Sequence, residues 1–332
     1  MNSFIRKNFI SIIKLGFSFL LSKKYPFVAA IRLNDQCNLK CDYCDSYKMN
    51  KVIPFQDLIA YLDSLHQKGC RMVILSGGEP FLYPHREELM DWLISKNFYI
   101  SINTNGRSIE NSSYRSFIDR ADQLMLSLDG SKYSTDKHRG TGCYDAVIKT
   151  LDYIKPKKIK ATISCVLTKV NTNKETYLHL AEIHKKYNAS IEFNPVTERG
   201  RINNSEASLS LAPSKDQLIE FRDLFKSAPK LYPNDPTIIL NYFINPKPIT
   251  CKTIKYALYI DVTGDIFPCI NVTDLDSAKY SSINEKYPTL NHKKKVTCDV
   301  CTCPTLTRAN MLLGQSNMKL KLLRNSIERF FY

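Results

Sequence analysis

The chain has 332 residues, is 43% hydrophobic and 24% charged, and carries a formal net charge of +15 with a sequence pI near 9.2. That apolar content excludes a disordered or fibrous chain, and the length suits a large α/β barrel or one catalytic domain with an appendage. The basic excess favours anionic partners such as phospholipid headgroups, nucleic acid or an acidic substrate, with general solubility as the alternative.

Residues 4–22 are apolar and lightly basic, with Lys7, Ser11, Lys14, Ser18 and Ser22 forming one narrow polar stripe at helical spacing. Lys14 interrupts the run, which falls short of the ~20 residues that span a bilayer. Two readings of residues 1–25 stay open. The basic amphipathic helix lies peripherally on the inner face of a membrane, or it caps the domain. Export is discounted, because eleven cysteines, clustered at 37/41/44 and 298/301/303, point to metal ligation in a reducing, cytoplasmic compartment.

The apolar run Phe27–Leu33 predicts a strand that leads into CNLKCDYC, where Cys37, Cys41 and Cys44 stand at C-x3-C-x2-C spacing. Thiolates select zinc, copper(I) or iron–sulfur clusters. Three ligands leave one iron of a cubane open to another group; a zinc knuckle with a distant fourth ligand is the rival. Helices are predicted over Pro54–Lys68, Arg86–Lys96, Ser112–Asp119, Tyr144–Ile154 and Lys174–Tyr187. Strands are predicted over Arg71–Leu75, Tyr99–Asn103, Gln123–Leu128, Lys160–Leu167 and Ser190–Asn194.

This alternation predicts parallel strands joined by right-handed crossovers. Six units are too few for a closed eight-stranded barrel, so residues 26–196 are read as an open, partial barrel. Its chemistry belongs at the carboxyl ends of the strands. CNLKCDYC, SGGEP (76–80), NTNG (103–106) and SLDG (127–130) all fall there. Gly77 and Gly78 allow close backbone approach, and Glu79 offers a carboxylate to an ammonium. Asn103, Asn105, Ser127 and Asp129 suit ribose hydroxyls, Arg139 suits a carboxylate, and Tyr43 suits a flat ring. His85 and His138 flank these loops; ordinary loop histidines are the simpler reading.

Residues 197–250 are rich in Pro, Asn and Ser and read as a linker or insertion with a helix near Ser214–Lys226. In 251–307, Tyr256–Val262 and Asp265–Phe267 predict a hairpin turning at Thr263-Gly264. It brings Cys251 and Cys269 together, and CDVCTC adds Cys298, Cys301 and Cys303. Cys251, Cys269, Cys298 and Cys301 make a closed shell of four thiolates, with Cys303 competing for the last place and structural zinc as the rival occupant. Cys70, Cys143 and Cys165 read as buried free thiols. Cys165, on a predicted strand, has a second reading as a hydrogen-atom donor facing the cavity. Residues 308–332 predict a terminal helix.

CNLKCDYC and SGGEP, in this order and at strand ends, resemble the cluster and methionine-amine motifs of the radical S-adenosylmethionine (radical SAM) superfamily. The resemblance covers about residues 27–195. It implies a partial (β/α)6 TIM-like barrel of the α/β class. It further implies a 4Fe-4S cluster on Cys37, Cys41 and Cys44 that binds S-adenosyl-L-methionine. Tyr43 would lie against adenine, Gly77, Gly78 and Glu79 would hold the amine, and Ser127 and Arg139 would match the polar residue and carboxylate-binding arginine of the peptide-maturing branch. The second cysteine group resembles the twitch/SPASM extension, which implies a small C-terminal β-hairpin plus helix domain with an auxiliary 4Fe-4S cluster. The implied activity is an oxidoreductase or maturase acting on a peptide, sugar or lipid-linked substrate, fed by a flavodoxin or ferredoxin type of electron donor. The rivals are a non-catalytic iron–sulfur or zinc protein of the same fold and an RNA-modifying member; with no recognisable RNA-binding module, nucleic acid is the weaker partner.

Overall fold

A computed structural model describes residues 26–44, 46–48, 50–157, 159–196, 210–227, 236–251, 256–270, 279–283 and 297–298. The expected helices at 4–22 and 308–332, with Cys301 and Cys303, lie outside the described residues. No helix among the described residues is long and apolar enough to cross a membrane.

Six strands form the frame: β1 (Val28–Arg32), β2 (Met72–Ser76), β3 (Tyr99–Thr104), β4 (Gln123–Ser127), β5 (Lys160–Leu167) and β6 (Ser190–Pro195). Each is parallel to the next. The crossovers carry α1 (Phe55–Gln67), α2 (Arg86–Ser95), α3 (Arg115–Asp119), α4 (Lys132–Arg139), α5 (Cys143–Ile154) and α6 (Lys174–Tyr187). In α1, Leu58, Tyr61, Leu62 and Leu65 recur at helical spacing and are buried. Strand side chains alternate between two faces. Leu124 and Leu126 of β4, Ile163 and Cys165 of β5 and Phe193 of β6 join the core. Met125, Ser127, Ser164, Val166 and Asn194 line a cavity on the other face. This is the open, partial barrel expected.

Two helices escaped the sequence reading. The first is α4, a polar segment between SLDG and Gly140. The second follows α7 (Lys215–Ser227) and is α8 (Thr237–Ile244), whose TIILNYFI has no polar face to give it a period. Phe221 and Phe225 of α7 pack edge-on against Phe193 of β6.

The expected hairpin forms as β8 (Ala257–Ile260) and β9 (Asp265–Phe267). It does not stand apart from the barrel. β8 runs parallel to β1, with Val28 opposite Ala257 and Ile31 opposite Ile260, and β10 (Ser281–Ser282) adds to β9. The edge of an open sheet exposes unpaired backbone groups. Here Phe27 and Val28 donate their amides to Tyr256 O at 2.7 and 3.0 Å. Among the described residues the sheet therefore has nine strands, β10-β9-β8-β1-β2-β3-β4-β5-β6. A separate antiparallel pair joins β7 (Ile249–Thr250) to β11 (Thr297–Cys298), setting Cys298 opposite Ile249.

Candidate active site

The loop after β2 is bonded to the loop after β1. Leu33 N donates to Ser76 O (2.8 Å), Gly78 N to Asn34 O (2.7 Å) and Glu79 N to Gln36 O (2.7 Å). Asn34 Nδ2 donates to Glu79 O at 3.2 Å. This contact is why glycines are needed. A Cβ on Gly77 would stand 2.7 Å from Asn34 O, and one on Gly78 would stand 2.2 Å from Gln36 O. Gly77 and Gly78 thus hold SGGEP against the segment that opens the cysteine loop.

Glu79 points inward, not at the cavity. It is 1% exposed, and its carboxylate accepts from Thr104 Oγ1 (2.8 Å) and the Asn105 amide (3.0 Å). Burial raises its carboxyl from 4.5 to about 7, against the lowering effect of those bonds. It ties β2 to β3. Asn105 carries the tie onward: its Nδ2 donates to Asn38 Oδ1 at 2.8 Å and lies 3.9 Å from Cys37 Sγ.

Cys37, Cys41 and Cys44 line one cavity of about 390 Å³ with Tyr43, Gly77, Gly78, Asn103, Asn105, Ser127 and Arg139. Burial pushes the Cys37 thiol up to about 11 and the Cys41 thiol up to about 12; for Cys41, Arg139 opposes the rise and Cys44 and Cys37 add to it. Ten of the expected residues thus meet in one place. Two carboxylates expected there, Glu79 and Asp129, do not. The strand ends contribute further residues outside the motifs, Met125, Ser164, Val166 and Asn194, with Ile270 from beyond the hairpin. Alternation along β4 and β5 was the available signal.

Asp129 is wholly buried at the end of β4. Arg139 donates to it through Nε (2.7 Å) and Nη2 (2.9 Å), the Tyr43 hydroxyl donates at 2.5 Å, and the Val166 amide donates at 2.9 Å. Gly130 follows in a left-handed conformation (φ 105°), where a Cβ would stand 2.6 Å from Thr176 Oγ1. His138 is buried between Asp42 Oδ2 and Thr168 Oγ1, each 3.1 Å from a ring nitrogen. It fastens the cysteine loop to the end of β5. His85 is exposed and pairs with Glu88 at 3.4 Å. Cys165 is fully buried and does not line the cavity; its neighbours Ser164 and Val166 do. The reading of Cys165 as a cavity-facing hydrogen donor is therefore corrected, because the strand period turns it into the core.

Soft thiols on one wall and a guanidinium on another suit an iron–sulfur cluster with a polar organic ligand. The buried Oδ1 of Asn103 adds an acceptor that no described group satisfies. Among the described residues no three His, Cys, Asp or Glu side chains converge on one metal-ion position.

Residues 31–183 match the profile of the Radical SAM superfamily. Fe-coproporphyrin III synthase of Methanosarcina barkeri is 29% identical over 158 residues, 45% of this chain and 39% of that protein. Mycofactocin maturase MftC of Mycobacterium tuberculosis is 24% identical over 261 residues, 74% of this chain and 64% of that protein. The chain thus spans less than two thirds of the length of these curated relatives. Two solved structures share the fold. Native anSMEcpe with bound AdoMet has a TM-score of 0.61 at 20% identity, covering 80% of this chain and 81% of that one. Streptococcus suis SuiB bound to precursor peptide SuiA has a TM-score of 0.58 at 18% identity, covering 85% and 67%. With the cysteine loop, the SGGEP staple and the open barrel in place, this chain carries a radical SAM domain over residues 31–183.

Proposed function

We propose that the chain is a radical SAM maturase whose substrate is a peptide and whose second cysteine group holds an auxiliary 4Fe-4S cluster. Cys37, Cys41 and Cys44 would ligate the first cluster, and S-adenosylmethionine would occupy the adjoining cavity. When bound, that pair supplies a 5'-deoxyadenosyl radical able to take a hydrogen atom from an unactivated C–H bond. The residues orient and enclose it. Tyr43 offers a ring face to adenine, Asn103 and Ser127 offer polar atoms to the ribose and amino-acid groups, and Arg139 offers its remaining N–H groups to the carboxylate.

Ile270 carries the reading. It follows Cys269 directly and lines the same cavity as the first three cysteines, which supports a role for the second cysteine group near the reaction space. Cys251 lies one residue beyond β7, whose partner strand β11 ends on Cys298. The auxiliary ligands would be Cys251, Cys269, Cys298 and either Cys301 or Cys303, accepting an electron from the substrate radical or gripping substrate. A peptide substrate is supported by the likeness to MftC and to SuiB with its precursor peptide. Sugars and lipid-linked precursors are the competing classes. A cytoplasmic setting with a flavodoxin or ferredoxin type of electron donor agrees with the clustered thiols, and the sequence pattern of 4–22 supports contact with the membrane surface.

The test is anaerobic reconstitution, reduction with dithionite and addition of S-adenosylmethionine. About eight irons per chain and formation of 5'-deoxyadenosine are expected, falling to about four irons in Cys251→Ala/Cys269→Ala. No 5'-deoxyadenosine from fully loaded protein would favour the non-catalytic rival. Substrate class is read from which addition stimulates turnover: a candidate precursor peptide, a sugar, or a lipid-linked precursor. Stimulation by either of the last two would refute the peptide assignment.

A further inference from the structure

Asp129 has the acidity and the strand-end position of a ligand-binding residue, yet its carboxylate is already saturated. Oδ2 accepts from the Tyr43 hydroxyl and Arg139 Nε, and Oδ1 accepts from Arg139 Nη2 and the Val166 amide. A carboxylate offers about four lone-pair positions, so none is left for a ribose hydroxyl. The backbone is held as firmly. Its amide donates to Thr135 Oγ1 at 3.1 Å, and its carbonyl accepts from Asn171 Nδ2 at 2.8 Å and Ser134 Oγ at 3.0 Å. A group fixed on every side acts through what it holds.

It holds two things that belong to different parts of the site. Tyr43 stands inside the cysteine loop, between Cys41 and Cys44. Arg139 closes α4, and its guanidinium lies 5.3 Å from the centre of the Tyr43 ring. Two of the arginine's N–H groups go to Asp129, which leaves the others for a ligand in the cavity that Arg139 lines. Building on the cluster and S-adenosylmethionine reading above, we infer that Asp129 is a positioning residue that locks the cysteine loop, through the Tyr43 hydroxyl, to the arginine that meets the cofactor carboxylate. Docking of the loop and aim of the arginine then become one event. Loss of the tyrosine hydroxyl then disturbs cofactor binding although the hydroxyl donates to Asp129, which does not line the cavity.

The experiment uses full-length protein, reconstituted and reduced. The electron paramagnetic resonance spectrum of the cluster and equilibrium S-adenosylmethionine binding are both read. A wild-type spectrum that ignores S-adenosylmethionine overturns the cluster reading and this assignment with it. Tyr43→Phe is expected to load iron like the wild type, to bind S-adenosylmethionine about tenfold more weakly, and to blunt the spectral change. Asp129→Asn is expected to lose at least as much, and the double variant no more than Asp129→Asn alone. Wild-type affinity with an unaltered spectrum in Tyr43→Phe refutes the assignment, as do losses that multiply in the double variant. Should Asp129→Asn fail to fold, Tyr43→Phe decides by itself, because a purely structural hydroxyl would lower thermal stability without moving either readout.

Discussion

Replacing Gly78 by alanine sets one methyl group against backbone. The added Cβ would stand 2.2 Å from Gln36 O and 2.5 Å from both Asp35 O and the Gln36 carbonyl carbon. Comfortable separation for such atoms is about 3.5 Å. The two loops must therefore part by about 1 Å, and no side chain can rotate away to prevent it. Parting stretches the 2.7 Å bonds from Gly78 N to Asn34 O and from Glu79 N to Gln36 O to roughly 3.7 Å, outside useful range. Each is worth about 1 kcal/mol net, so the staple loses about 2 kcal/mol, a factor of about 30 in the population of the docked loop. β2 itself is untouched, because the clash lies beyond Ser76. We expect Gly78→Ala to keep its far-ultraviolet circular dichroism, to load markedly less iron on anaerobic reconstitution, and to cleave S-adenosylmethionine about 30-fold more slowly. Full iron loading with unchanged cofactor affinity would refute the idea that these glycines serve loop-to-loop contact.

Three further expectations follow from buried titratable groups. Glu79 holds its proton more tightly when folded, with a carboxyl at about 7 instead of 4.5, so the stability of the metal-free chain falls as pH rises from about 4.5 to about 7 and levels off above, by at most about 3 kcal/mol. Urea titrations at several pH values should show this slope in the wild type and its loss in Glu79→Gln; parallel slopes would contradict it. Cys37 and Cys41 keep their protons at neutral pH, so iron loading must expel them. Loading against a competing chelator should strengthen by up to about a hundredfold per pH unit between roughly pH 6.5 and 8.5, and pH-independent loading would count against these thiols as ligands. Cys165→Ala should cost about 1 kcal/mol of stability while leaving solvent-deuterium incorporation into product unchanged; a changed isotope pattern would restore Cys165 as a hydrogen donor.

The six barrel strands were legible because each reads as a short, largely apolar run closed by a polar loop. Legibility failed where burial is polar. In α4 the sequence KYSTDKHR has no apolar stripe, yet Ser134, Thr135, His138 and Arg139 are buried. They go inside because they supply hydrogen bonds to the loops after β4 and β5, and periodicity of hydrophobicity is blind to that. Partnership failed for a different reason. The turn at Thr263-Gly264 identifies β8 as one arm of a hairpin but says nothing of its other neighbour, and the contact between Arg32 and Asp261 at 3.4 Å joins residues 229 apart in the chain.

Both carboxylates expected to face a ligand, Glu79 and Asp129, spend their oxygens inside the chain. A sequence shows that an acid is present; it does not show whether its lone pairs are already taken. Glu79 gives its oxygens to Thr104 and Asn105, and Asp129 gives its own to Tyr43, Arg139 and Val166. With both acids turned inward, Arg139 is the charged side chain among the described residues that line the cavity. An ammonium bound there has no carboxylate to meet and must rely on neutral oxygens. The unsatisfied Oδ1 of Asn103, the side chains of Ser127, Ser164 and Asn194 and the backbone of the SGGEP loop are among the neutral oxygens on that wall. Under the proposed function, a zwitterionic amino acid would set its carboxylate towards Arg139 and its amino group towards the β2 and β3 ends, where the cysteine loop is stapled.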